Sequence, residues 1–292
     1  MIREALKAKQ KLINDRLAVL LKSDRLEHKT LYDAMNYSLL AGGKRIRPFL
    51  FLTVLDTLSV DSSRCVDAAC ALECVHTYSL IHDDLPAMDN DDYRRGRLTN
   101  HKVYGAGMAT QAGDGLLTFA FQLLAEQKQI PADVRIELID ILARAAGPEG
   151  MVGGQAQDME AEGKPLTLSQ LKTLDACKTG CLLAAPVSMA CAVAGASLKD
   201  RLLLETFAAH LGLLFQITDD LLDEKGNLED MGKMPGQDEK DHKSTFVTIL
   251  GVEKAEKYAE EEAELAKEAL AKLPFDSTIL YELTELMVHR KK

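Results

Sequence analysis

This chain predicts an all-α fold, and three observations carry that expectation. Apolar residues recur at helical spacing along most of the 292 residues. Alternating β-branched runs separated by hairpin turns are scarce. The patterned segments open on side chains that cap helices and close at Gly or Pro. With 47% hydrophobic and 27% charged residues, the composition is that of an ordinary soluble globular protein with chain enough for a substantial core. It excludes collagen-like, disulfide-framework and disordered classes. The 45 acidic residues outnumber the 35 basic ones, for a net charge of −10, which argues against general nucleic-acid or anionic-membrane binding. An anionic small substrate stays open, because basic side chains and metal ions reverse the field locally.

Taken in order, Met1–Asp24 alternates charged and aliphatic residues at helical spacing and lacks the charged-then-apolar order of a secretory leader. Breaks at Gly42-Gly43, Ser59–Ser63, Pro86–Asn90, Gly147–Gly150, Gly163–Pro165 and Gly195 divide the chain into about ten or more helices. Thr167–Gln170 reads as a capping box, and Ser197–Asp200 opens the next apolar run. Cys181–Leu198 is uncharged but small-residue-rich and contains Pro186, so it reads as a closely packed buried helix rather than a membrane span. The six cysteines, with no secretory leader, point to a reducing cytoplasm. Cys70/Cys74 and Cys177/Cys181 leave a four-thiolate zinc site as an alternative to core packing. Asp223–Lys243 holds eleven charged residues, three glycines and Pro235, and only 49 residues follow it. The expectation is one domain over residues 1–292 with a polar flap at 223–243, ending in an amphipathic helical stretch from Val252.

Two acidic clusters carry the chemistry: His82-Asp83-Asp84 through Asp89, Asp91 and Asp92, and Thr218-Asp219-Asp220 through Asp223. Each follows an apolar helical segment, where crowded carboxylates meet both mutual repulsion and the macrodipole, so a compensating cation is expected. On a helix Asp219 and Asp223 lie about 40° apart, one turn along. Asp83 and Asp89 would lie about 120° and about 9 Å apart on a continuous helix. They converge only if the helix ends and the chain folds back, and Pro86 sits where that ending is expected. Facing carboxylates suit a hard cation that keeps its waters, above all Mg²⁺. The alternative is two surface turns paired with Lys or Arg.

Basic residues sharpen this. In Gly42-Gly43-Lys44-Arg45-Ile46-Arg47-Pro48, Lys44 and Arg47 share a face if the segment is helical, and Arg94-Arg95-Gly96-Arg97 follows the first acidic cluster. Arginine grips phosphate through its fork, and glycine lets backbone approach an anion. Lys178, Lys233 and Lys243 are further isolated positives. Together the clusters fit two polyphosphates, one bound through Mg²⁺ and one directly by cations.

In this order the motifs are familiar. Gly42–Pro48, ECVHTYSLIHDDLPAMDNDDYRRG (73–96), GGQAQD (153–158), KTG (178–180), FQITDDLLD (215–223), MGK (231–233) and HKS (242–244) span nearly the whole chain. It resembles the short-chain trans-prenyl diphosphate synthases, the bacterial farnesyl-forming ones above all. The resemblance implies the all-α terpenoid-synthase fold, a helical bundle around a central cavity, in a cytoplasmic homodimer. It implies three Mg²⁺ per active site, with Asp83, Asp89 and Asp219 as ligands and Asp84, Asp220 and Asp223 completing or supporting the metal shell. Arg94, Lys178, Thr179, Gln216, Lys233 and Lys243 would contact the allylic diphosphate. Gly43, Lys44, Arg47, His76 and Arg95 would form the isopentenyl diphosphate site. His76, seven residues before Asp83, shares its stripe to within about 20°; the plainer reading is a satisfied helix histidine. Gln155 and Asp158 match a weaker motif that supports the metals.

The implied reaction condenses isopentenyl diphosphate with dimethylallyl and then geranyl diphosphate to give farnesyl diphosphate. Tyr78, about 7.5 Å deeper than Asp83 along the same helix, would limit chain length, with Ser79 the neighbour closer to the Asp83 stripe. Geranyl- or geranylgeranyl-forming enzymes are the near alternatives. A class I terpene cyclase would normally carry an Asn/Ser/Glu-type second motif and would not need a second diphosphate site. A phosphohydrolase built on His82-Asp83 would need further His ligands. A non-catalytic partner subunit is opposed by the intact aspartate motifs.

Overall fold

The structure, a computed structural model, describes residues 1–225 and 244–290. Its helices are α1 (Ile2–Leu20), α2 (Lys29–Leu39), α3 (Ile46–Thr57), α4 (Val66–Asp83), α5 (Asn100–Tyr104), α6 (Ala106–Glu126), α7 (Ala132–Ala146), α8 (Met151–Ala161), α9 (Leu168–Asp175), α10 (Cys181–Ala194), α11 (Leu198–Lys225), α12 (Phe246–Leu250), α13 (Val252–Ala271) and α14 (Thr278–Val288). The strand content among the described residues is one small antiparallel hairpin, β1 (Tyr93–Arg94) and β2 (Arg97–Leu98), with Tyr93 opposite Leu98 and Arg94 opposite Arg97. The all-α expectation is met. Most of the polar segment 223–243, including Lys233 and Lys243, lies outside the described residues.

The chain divides into two compact units, a first of Arg3–Leu52 and Asp61–Ile139, and a second of Met1–Ile2, Thr53–Val60 and Asp140–Lys292. In the first, α4 is buried on nearly every side: Ala68, Ala69, Cys70, Ala71, Leu72, Cys74 and Val75 have no exposed surface. These small residues let it pack closely along α6, whose Ala109, Ala112, Leu116 and Ala120 are equally buried. A helix apolar all round takes its few polar residues inside with it, so Glu73 and Thr77, each 1% exposed, need partners. Burial pushes the Cys70 and Cys74 thiols up, away from the thiolate that zinc requires. Cys70 and Cys74, with no exposed surface, pack as core residues, while Cys177 and Cys181 are half-buried.

In the second unit, α11 packs along α13 and against α10, burying Leu204, Phe207, Ala208, Leu211, Leu214 and Ile217 at helical spacing. The expected caps form: Thr167 and Gln170 exchange hydrogen bonds of 3.0 and 3.4 Å, and Ser197 Oγ accepts from the Asp200 N–H at 3.2 Å. Leu168–Ala194 is long and apolar enough to cross a membrane by length and composition. Its α10 portion is a core helix, with Leu182, Val187, Met189 and Ala190 fully buried, as the small-residue reading expects. Between α9 and α10 the helix takes one wide turn, where the Cys181 N–H reaches back five residues to Ala176 O. Such π-turns accommodate one extra residue and often mark functional sites.

Candidate functional site

In the first unit the candidate residues come from the Gly42–Pro48 loop, α4 and the hairpin. Gly43 has φ +121°, a conformation that favours glycine, and a Cβ there would sit 2.7 Å from the Arg95 guanidinium carbon and push that side chain aside. Arg95 donates to Gly42 O, and Gln10 Nε2 donates to Gly43 O at 2.6 Å. Helix α3 begins only at Ile46, and Arg45 has φ +54°. Lys44 and Arg47 therefore do not share one helix face, because the left-handed residue between them redirects the chain. Arg45 points inward and Lys44 outward, Arg45 being 3% exposed. The Arg45 guanidinium donates to Asn14 Oδ1 at 2.9 Å, Glu73 Oε1 at 2.6 Å and Leu39 O at 2.7 Å.

His76, half-buried on α4, has its pKa held well below the ordinary histidine value by burial and by Arg47, Arg95, Arg94 and Arg45. Positive charge around His76 favours an anion on this face of α4. Helix α4 ends at Asp83, as its C-terminal Pro86 predicts, and the chain folds back so that the Asp89 N–H donates to Asp83 O at 2.9 Å. Asp83 is half-buried and Asp89 exposed. Asp84 is buried and gripped by Arg94, whose Nε lies 2.7 and 2.9 Å from its two oxygens. Burial opposes the Arg94 charge, but Asp84, Asp83 and Asp91 outweigh it and hold the guanidinium pKa above its ordinary value. The Tyr78 ring meets His82 edge-on at 5.6 Å, and burial with the nearby Asp83 pushes its phenol up to about 12. Ser79 Oγ donates to His76 O at 3.0 Å.

In the second unit the π-turn presents Lys178 and Thr179, both half-buried. Lys178 Nζ donates to Asp158 Oδ2 at 2.5 Å. Gly154 makes this approach possible, since a Cβ there would lie 2.3 Å from the Lys178 backbone nitrogen. Asp175 joins the cluster: burial first, then Asp158, pushes its carboxyl up to about 7, against the pull of Lys178 and a hydrogen bond with Gln216. On α11, Arg290 donates to Asp219 Oδ1 at 2.5 Å, Phe215 O at 2.8 Å and Thr218 Oγ1 at 3.1 Å. Asp220 Oδ2 accepts from the Phe246 N–H at 2.7 Å, at the start of α12. Asp223 is 6% exposed.

A hard divalent cation fits the first unit's donors, since Asp83 and Asp89 are carboxylates on one folded-back turn. In the second unit Asp219 is held by Arg290, which a metal there would have to displace. Among the described residues no three His, Cys, Asp or Glu side chains gather closely enough to hold a metal alone. Mg²⁺ typically takes one or two carboxylates and completes its shell with water and substrate phosphate.

Unit by unit, these are the parts of a helical protein that sets basic side chains beside acidic helix ends. Comparison with known proteins narrows that class. The sequence profile of the polyprenyl synthetase family matches residues 28–285. A farnesyl diphosphate synthase of Geobacillus stearothermophilus is 50% identical over 270 residues, 91% of each chain. An FPP/GFPP synthase from Zymomonas mobilis, in its apo structure, superposes with a TM-score of 0.89 at 34% identity, covering 98% of both chains. A Helicobacter pylori geranyltransferase, complexed with magnesium and isoprenyl diphosphate, gives 0.85 at 34% identity over 97% of this chain and 96% of its own. The chain belongs to the polyprenyl synthetase family. Sequence reasoning missed Arg45, Glu73, Asp175 and Arg290. Arg45 and Glu73 lie inside the quoted motifs without a role read for them, and Arg290 lies in the basic run His289–Lys292.

Proposed function

We propose that this chain is a Mg²⁺-dependent prenyltransferase that joins isopentenyl diphosphate to dimethylallyl and then geranyl diphosphate, giving mainly farnesyl diphosphate. The observation that carries the reading is the fold-back that brings the Asp89 N–H to Asp83 O at the end of the helix bearing His76, just ahead of Arg94 and Arg95. The reading takes residues 1–292 as one polyprenyl-synthase-like domain, because the family profile runs through both units. A homodimer in the cytoplasm accompanies it.

Gly43, Lys44, Arg47, His76 and Arg95 hold isopentenyl diphosphate. Arg94, Lys178, Thr179 and Gln216, with Lys233 and Lys243, hold the allylic diphosphate. Asp83, Asp89 and Asp219 hold Mg²⁺, three ions per site, with Asp84, Asp220 and Asp223 supporting the shell. When bound, Mg²⁺ neutralises charge growing on the departing diphosphate. Lys178 adds a fixed positive charge at that leaving group, with Asp158 orienting its ammonium. The allylic C–O bond breaks, the isopentenyl double bond attacks the allylic cation to form the new C–C bond, and a proton leaves. The motifs offer no dedicated base, so the released diphosphate accepts that proton. Tyr78, buried against His82, forms the floor that stops the growing chain.

The test is incubation of the purified protein with isopentenyl diphosphate, dimethylallyl diphosphate and MgCl₂, then chromatography of the dephosphorylated products. A mainly fifteen-carbon product is expected, with turnover abolished by EDTA and reduced about a thousandfold or more in Asp83→Ala and Asp219→Ala. Tyr78→Ala should shift products to twenty carbons or longer. No incorporation of isopentenyl units, or near-normal turnover in EDTA or in a natively folded aspartate variant, would overturn the reading. An unchanged product distribution from active Tyr78→Ala would move the floor to another residue.

A further inference from the structure

The geometry points to Arg45 and Glu73 as a positioning pair that presets the isopentenyl diphosphate pocket, a role that rests on the prenyltransferase reading above. Both side chains are only 1% exposed, and they form a 2.6 Å ion pair inside the first unit. Burying two charges is costly, and a well-packed apolar pair is often as stable, so stability alone is a weak reason for this one. Its placement supplies a stronger reason.

Arg45 lies between Lys44 and Arg47, and its φ of +54° is uncommon for a residue with a side chain. Such a conformation persists where the surroundings over-determine it. Here the guanidinium fork does so, reaching Asn14 on α1, the carbonyl of Leu39 at the end of α2, and Glu73 on α4. The fork ties the backbone carrying Lys44 and Arg47 to three helices at once.

Glu73 is also one helical turn before His76, so the two lie on neighbouring positions of one α4 face. Pulling Arg45 onto Glu73 therefore sets the cation loop against the face that bears His76. There is an electrostatic consequence as well. Arg45 is the smallest of the four arginine influences on His76, while Glu73 acts on Arg95 in the sense that keeps it charged. Glu73 thus offsets the one guanidinium that points inward, while Arg47 and Arg95 act more strongly on His76. Neither residue touches the diphosphate in this account; both act through Lys44, Arg47 and His76.

The experiment uses the full chain with Glu73→Gln, which keeps an acceptor but removes the charge, and Arg45→Lys, which keeps the charge but removes the fork. KM is measured separately for isopentenyl and dimethylallyl diphosphate, with kcat, melting temperature and calorimetric binding of isopentenyl diphosphate alone. Both variants should raise KM for isopentenyl diphosphate about tenfold or more while KM for dimethylallyl diphosphate stays within about twofold. A general loss of structure would move both constants together. Should either single variant fail to fold, the double variant Arg45→Met/Glu73→Leu replaces the pair with apolar packing, and the same selective rise in KM is expected. Folded variants with unchanged isopentenyl diphosphate affinity, or with both constants raised alike, overturn the pair's role. A wild-type protein that incorporates no isopentenyl units overturns the prenyltransferase reading instead.

Discussion

Asp175 holds its proton to about pH 7 because burial and the neighbouring Asp158 carboxylate disfavour its charge. Its folded pKa lies above the ordinary 3.8, so the stability linked to its protonation is fully present below that value and is lost as pH rises through about 7. Asp175→Asn removes the titration but keeps a group able to bond Gln216. Between pH 5 and 8 the wild-type melting temperature should therefore fall relative to that of the variant, as read by circular dichroism. Parallel curves would mean that Asp175 does not titrate in this window. Nothing at residue level in the sequence announced this. An aspartate in a polar-looking helix end acquires an unusual pKa only when Asp158, seventeen positions upstream, is folded beside it.

Helix boundaries were the most legible elements. Pro86 marked the end of α4, and the fold-back that brings the Asp89 N–H to Asp83 O follows from it. The capping residues Thr167 and Ser197 were equally readable, since they act on backbone groups three residues away. The β1–β2 hairpin escaped notice because two-residue strands leave no alternating pattern. Its turn at Arg95-Gly96, with φ of +53° and +72°, is the primed type that such ribbons favour. The π-turn at Ala176–Gly180 was hidden for another reason: it is a short segment between α9 and α10 with no apolar repeat of its own to show a slip of one residue. It does leave a consequence for α8. A methyl group at Gly154 would press on the Lys178 backbone nitrogen at 2.3 Å. Gly154→Ala should cost roughly 1–3 kcal/mol in denaturant unfolding and weaken allylic diphosphate binding more than isopentenyl diphosphate binding. Stability and affinity both at wild-type levels would show that the two segments can separate without consequence.

At the scale of the molecule, a chain of net charge −10 would, on the proposed reading, hold two anions with a few local cations. Each compact unit carries one acidic cluster and its own basic residues, Lys44, Arg47 and Arg95 in the first and Lys178 in the second. Lys44→Ala or Arg47→Ala should chiefly raise KM for isopentenyl diphosphate, and Lys178→Ala should chiefly impair use of the allylic substrate. Steady-state kinetics with each substrate varied in turn would check the assignment, and a reversed pattern would exchange the two pockets. Motif order made the two sets recognisable. What it could not disclose were pairings between distant positions, Arg45 with Glu73 and Arg290 with Asp219, since these depend on which helices become neighbours.

The Arg290–Asp219 contact bears on how the protein would be handled at the bench. A carboxylate that already has an internal counter-ion does not need a bound metal to keep α11 from repelling itself. Chelation is then expected to halt turnover while leaving the helices assembled. Preparations stripped of magnesium should remain reconstitutable, and loss of activity in storage buffer would be reversible by adding the ion back.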